Sequence, residues 1–181
     1  MKTIKLISRL INAIINRIKC VVDPNKYAIE LGVKLGSNVK FYSMKPGMFS
    51  TEPWLIKIGD NCHITDNCIF TTHDGGVLII RNEIPDLEIT APIIIGNDVF
   101  IGENTTILFG TKIGNRSIIG ACSLVKGEFP DNSVIAGVPA KVIESVDEYR
   151  DKAAKKSLHL GHLDARDKDI ALREFYKGKG W

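Results

Sequence analysis

No stretch of this chain approaches the roughly 18 consecutive apolar residues that a membrane-spanning helix needs. Its first twenty residues are rich in isoleucine but broken by Arg9, Asn12, Asn16 and Arg17, whereas the centre of a secretory signal runs uncharged for about 7–15 residues. Cysteine is scarce, and the four present (Cys20, Cys62, Cys68 and Cys122) form no CxxC pair. With no export signal read, they are expected to be reduced thiols in a cytoplasmic protein. A large excess of one charge is lacking too. The 24 Lys and Arg against 21 Asp and Glu leave a net +3, which taken alone is no argument for nucleic acid as a partner. Histidine is rare enough, at four residues, that each can be weighed singly.

What is there suffices for one domain with a real core: 181 residues, 44% of them hydrophobic and 25% charged. The charge is uneven all the same. Lys2, Lys5, Arg9, Arg17 and Lys19 fall in the first twenty residues, with no acid among them. Ile4, Ile7, Ile11, Ile14 and Ile18 follow helical spacing, which predicts an amphipathic helix in an N-terminal segment, residues 1–28. Such a helix either packs against its own domain or a partner subunit, or lies weakly on a membrane surface.

A period of six governs the body of the chain. Ile95, Ile101, Ile107, Ile113, Ile119 and Val125 are all β-branched, and Val99, Thr105, Thr111, Ser117 and Ser123, four residues on from the first five, are small or β-branched. Upstream, Ile58, Ile64 and Phe70 keep the register with Cys62 and Cys68 at the small position, as do Ile29, Leu35 and Phe41 with Val33 and Val39. The two cysteines therefore read as small inward side chains rather than metal ligands. The "HLGHLD" pair, His159 and His162, has no third ligand in sight, so no metal is expected.

A six-residue period does not suit a helix, whose faces recur at 3.6. It suits a short strand and a corner, with Gly, Asn or Asp supplying the left-handed backbone of the bend. Three such sides close a triangular coil of eighteen residues, and coils stack at about 4.8 Å. Coils are predicted near 29–46, 58–75, 95–112 and 113–130, with a partial turn near 134–143: four to five coils in a domain spanning 29–143. Two segments break the rhythm, a distorted turn at 47–57 and a protruding loop at 76–94. Beyond it, Ser145–Lys156 and Asp164–Lys177 read as helices in a C-terminal extension, residues 144–181.

The run "IIIGNDVFIGENTTILFGTKIGNRSIIGACSLV", followed by "VIAGVPAKVI", resembles the hexapeptide-repeat acyltransferases over about Ile29 to Ile143. The resemblance implies a mainly-β fold, a left-handed parallel β-helix; the handedness comes from the resemblance alone. It also implies acetyl-CoA as co-substrate and a homotrimer with its sites at subunit interfaces.

His73, in "FTTHDGG", sits where the rhythm gives way to the loop. In the resembling sugar and antibiotic acetyltransferases a histidine at the start of this loop is the catalytic base, and by location His73 matches it. The residue types suit the chemistry. An imidazole, with an ordinary pKa of about 6.5, can take a proton from a hydroxyl near neutral pH. Asp74 or a backbone carbonyl would orient it, and Asp74 could also bind the acceptor. Gly75 and Gly76 would let the backbone approach a ligand. The plain alternative is a solvated corner residue. His63 precedes an uninterrupted repeat and reads as a surface residue. The resemblance also implies backbone N–H groups of the coil wall around the oxyanion of acyl transfer.

For coenzyme A the resembling positions are Ala121 in "IGACS", Lys126 in "LVKGEFP" and Lys141 in "GVPAK", the two ammonium groups being candidate phosphate contacts. The chain departs from the family here. It has Lys126-Gly127-Glu128 where Thr-Lys-Asp is usual, and Glu144 where a basic residue often stands. Solvated loop lysines are the alternative. The loop most resembles the branch that O-acetylates sugars of capsules, O-antigens and exopolysaccharides, which makes a sugar or oligosaccharide the expected acceptor. N-acetylation of an amino sugar, nucleotide-linked sugar or antibiotic is a second reading, and a non-catalytic β-helix scaffold a third. The carbonic anhydrases built on this helix need three histidine ligands, and only His63 and His73 lie in the repeats. Trp54 and Phe49 are candidates either for stacking on a sugar or for the core.

Overall fold

The computed structural model describes residues 2–181, which divide into two compact units, one running to Val146 and the other Asp147–Trp181. The first begins with helix α1 (Lys2–Val22) and helix α2 (Pro24–Glu30). Asp23 starts α2 by accepting the Lys26 N–H at 2.9 Å, and Pro24 occupies the first helical position, where its missing N–H costs nothing.

Short strands follow. The first coil has β1 (Lys34–Leu35) and β2 (Lys40–Phe41). The second has β3 (Ile56–Ile58), β4 (His63–Ile64) and β5 (Ile69–Thr71). The third has β6 (Ile93–Ile95), β7 (Val99–Ile101) and β8 (Thr106–Leu108). The fourth has β9 (Lys112–Ile113), β10 (Ser117–Ile119) and β11 (Leu124–Val125). The fifth opens with β12 (Glu128–Phe129) and β13 (Ser133–Gly137), and β14 (Ala140–Ser145) returns antiparallel on β13. The sheets run β1-β3-β6-β9-β12, β2-β4-β7-β10-β13-β14 and β5-β8-β11, with every other pairing parallel. Three flat walls wound in this way make a left-handed parallel β-helix.

The six-residue positions fill its interior. Ile95, Ile101, Ile107, Ile119 and Val125 are at most 1% exposed, and each aliphatic side chain so buried contributes about 1.5–3 kcal/mol. The small positions add hydrogen bonds between coils. Thr105 and Thr111 donate to the carbonyls of Gly120 and Val125 at 3.2 Å. Cys62 and Cys68 do the same to Gly96 and Gly102 at 3.2 and 3.4 Å. Burial pushes both thiols above their usual pKa, so they behave as inward side chains of the ladder.

The corners divide their labour by residue type. Left-handed backbone recurs every six residues at Asp98, Asn104, Gly110, Arg116 and Cys122, with φ between 50° and 76°. The preceding Asx residues form a ladder down one edge. Asp60, Asn97, Asn115 and Asp131 each accept, through Oδ1, a backbone N–H of the coil before, from Ser37, Asp60, Asn97 and Asn115, at 2.6–2.8 Å. Glycine serves a different purpose. Gly96 has no positive φ; a Cβ there would come within 2.8 Å of the Asn115 nitrogen on the next coil.

One boundary differs from the sequence reading. Ile29 lies in α2 and is exposed. The Asp23-Pro24 start carries the helix through Glu30, so the first coil begins at Lys34 rather than near 29. Residues 134–143 hold the partial turn, β13 continuing the wall parallel to β10, and Gly137, at φ 105°, then reverses the chain so that β14 returns antiparallel. The second unit contains helix α3 (Val146–Lys156) from its second residue onward, and helix α4 (Ala165–Lys177), which Asp164 caps by accepting the Asp167 N–H at 2.9 Å. Among the described residues no helix is long and apolar enough to cross a membrane.

Candidate active site

The chain leaves the wall after β5. Asp74 accepts the Gly76 N–H at 2.9 Å and starts a short 3₁₀ turn, Gly75–Ile79, that carries it outward. It returns beside itself. His73 bridges Thr90 in antiparallel fashion, the Asp74 N–H donates to Ile89, and the Ala91 N–H donates to Thr72. The loop is thus clamped at its base, and His73 is held in the clamp.

A carboxylate from the previous coil meets it there. Glu52 stands just before the 3₁₀ turn Pro53–Leu55, in the irregular segment. Its Oε2 lies 2.8 Å from His73 Nδ1 and accepts the Thr72 hydroxyl at 2.7 Å, while Oε1 accepts the Thr51 hydroxyl. These hydrogen bonds, from Thr51 first and then His73 and Thr72, hold the Glu52 carboxyl down to a pKa of about 2. An ionised carboxylate can only accept, so Nδ1 carries the hydrogen and Nε2 keeps its lone pair. That is the tautomer a general base needs. The hydroxyls of Ser50 and Thr51 stand 3.3 Å from the same Nδ1.

The pair opens on a cleft of about 210 Å³ whose walls include Thr51, Asp74, Arg81 and Glu88. Arg81 is fixed across it, its Nε donating to the Leu87 carbonyl at 3.0 Å and its guanidinium paired with Glu88 at 2.5 Å. Asp74 therefore lines the cleft and caps the loop, and the carboxylate on Nδ1 belongs to Glu52. Sequence reasoning missed Glu52, Arg81 and Glu88. Each lies in a segment outside the six-residue register, where position in the repeat says nothing of spatial neighbours.

The other candidates fall elsewhere on the helix. Strands β5, β8 and β11 lie side by side, and His73, Phe109 and Lys126 follow their ends. At about 4.8 Å per coil, Lys126 stands roughly 10 Å along that edge from the level of His73. Its Nζ lies 4.1 Å over the Phe109 ring. Ala121 and Lys141 are exposed on the β10–β13–β14 side, where Lys141 is the cross-strand partner of Ala136, beside Gly120. The structure does not gather Lys126 and Lys141 at His73. Phe49 is core, packed on Phe41 and Phe70, whereas Trp54 is 56% exposed. His63 is a surface residue of β4, its Nδ1 2.9 Å from the Tyr42 hydroxyl. Among the described residues no three His, Cys, Asp or Glu side chains are grouped to hold a metal.

The family described as bacterial transferase hexapeptide (six repeats) matches residues 92–127. Protein CapG of Staphylococcus aureus is 41% identical over 148 residues, covering 82% of this chain and 86% of its own. The chain belongs to the hexapeptide-repeat acetyltransferase family. This acetyltransferase is also 39% identical to the putative lipopolysaccharide biosynthesis O-acetyl transferase WbbJ of Escherichia coli K12, over 49% of the chain and 50% of that relative. Among solved structures, it superposes on a galactoside acetyltransferase in complex with coenzyme A with a TM-score of 0.51, at 26% identity, over 78% of this chain and 82% of that one.

Proposed function

We propose that this hexapeptide-repeat protein transfers an acetyl group from acetyl-CoA to a hydroxyl of a sugar or oligosaccharide, in the building of a surface polysaccharide on the cytoplasmic side. The observation that carries the reading is the Glu52–His73 contact at the clamped base of the loop. Nε2 of His73 takes the acceptor's proton as the hydroxyl oxygen adds to the acetyl carbonyl, and returns it to the sulfur as the carbon–sulfur bond breaks. The ester forms, free thiol leaves, and the imidazole is regenerated. Glu52 holds the ring in the correct tautomer and stabilises the imidazolium between the two transfers.

Asp74, Arg81 and Glu88 give the cleft the polar wall that a polyhydroxyl acceptor needs. The edge beyond His73 offers an aromatic face at Phe109 and an ammonium at Lys126, a donor set that fits a phosphate-bearing chain. Lys141 and the corner at Ala121 extend that set on the adjoining wall. Leu78, Ile79 and Ile84 are exposed on the loop, which fits a neighbouring subunit of a homotrimer covering them. The kinship with WbbJ supports the O-acetyl assignment.

A thiol-release assay with acetyl-CoA across sugars, nucleotide sugars and oligosaccharides, each hydroxyl acceptor beside its amino analogue, tests the reading. Faster release with the hydroxyl acceptors is expected. Faster release with the amino sugars would reassign the enzyme to N-acetylation, and failure to bind coenzyme A would leave a scaffold.

A further inference from the structure

Helix α1 carries an apolar face that its own unit leaves in water. Leu6, Ile7, Leu10, Ile11, Ile14 and Ile18 are each more than half exposed. At 100° per residue they fall on one half of the helix. The attachment is at the other end: among the described side chains of α1 Cys20 is the buried one, and Lys19 pairs with Glu30 of α2 at 2.7 Å. Lys5, Arg9 and Lys19 lie on the opposite half with Ser8, Asn12 and Asn16, and Arg17 stands at the border. No Asp or Glu precedes Asp23.

We propose that α1 docks in the plane of an anionic lipid bilayer, its isoleucine face in the acyl boundary and its cations among the phosphate headgroups. A helix apolar on one half, and on the other polar with cations and no acid, fits that boundary. The width of the apolar face decides against a second copy as the occupant. Ile7, Ile11, Ile14, Ile18 and Val21 follow the spacing of a helical seam. Copies meeting there would leave Leu6, Leu10 and Ile15, all exposed, outside the seam, whereas an acyl boundary covers the whole face. The inference rests on α1 alone and stands apart from the chemistry at His73.

Flotation of the full chain with vesicles tests it. The protein is expected to float with phosphatidylcholine vesicles containing phosphatidylglycerol, to stay behind with phosphatidylcholine alone, and to dissociate as salt is raised. Lys5→Gln and Arg9→Gln should each weaken binding about fivefold. The double variant Ile11→Asp/Ile14→Asp should lose binding with its melting temperature and its mass in light scattering unchanged. No flotation of the parent, or flotation that survives the double substitution, would overturn the proposal. A fall in the double variant's mass would overturn it too, by assigning the face to contact between copies.

Discussion

Glu52 and His73 stand 21 residues apart in the chain, yet a carboxylate oxygen of one lies 2.8 Å from the ring nitrogen of the other. Glu52→Gln keeps the size of the partner and removes its charge, and a side-chain amide turned the wrong way would donate to Nδ1 and reverse the tautomer. The expected result is a fall in kcat of about 10² to 10⁴ with little change in the acceptor's KM. A rise in KM at constant kcat would make Glu52 a binding residue.

The same contact predicts a pH dependence of stability. Folding depresses the Glu52 pKa from about 4.5 to about 2, so the folded state binds this proton less readily than the unfolded chain. Its stabilisation is fully present above about 4.5 and is lost as pH falls towards 2. The melting-temperature gap between the parent protein and Glu52→Gln should narrow as pH falls below about 4.5. A gap that widens below that point would contradict the depressed carboxyl.

Gly96→Ala tests the stacking of coils. The added Cβ would sit 2.8 Å from the Asn115 nitrogen, and that nitrogen donates to the Asp131 carboxylate at 2.7 Å. Moving it disturbs the Asx ladder as well as the packing. A loss of about 1–3 kcal/mol or more is expected in denaturant unfolding. A neutral result would show that the corner yields.

The walls were legible in the sequence because a six-residue repeat ties residue type to direction. Ile101, Ile107 and Thr105 point inward wherever the pattern holds, and the same pattern made Cys62 and Cys68 inward residues rather than ligands. His73 stood out as a candidate because the repeat stops beside it. Glu52 was not. It reaches His73 from an irregular segment whose length sets the pairing, and no period predicts that length. Asp74, next in the chain, was the nearer candidate for orienting the ring, but the Gly76 N–H already engages it. The first coil's start was misplaced because Ile29 keeps the six-residue spacing by chance, while the stronger local signal, Asp23 before Pro24, begins a helix.

Lys126→Ala and Lys141→Ala address the proposed cofactor edge. Each is expected to raise the KM for acetyl-CoA about tenfold, as for a lost charge-assisted hydrogen bond, with kcat at saturation nearly unchanged. If Lys126→Ala alone has an effect, the cofactor follows the Phe109 edge and leaves the β13–β14 wall.

The most direct measurement is thiol release by His73→Ala at saturating acetyl-CoA and acceptor, with coenzyme A affinity measured calorimetrically on the same protein. The account predicts a rate lower by about 10² to 10⁴ and an affinity within about twofold of the parent. A variant that retained most of its rate, or that lost rate and coenzyme A binding together, would contradict His73 as the base.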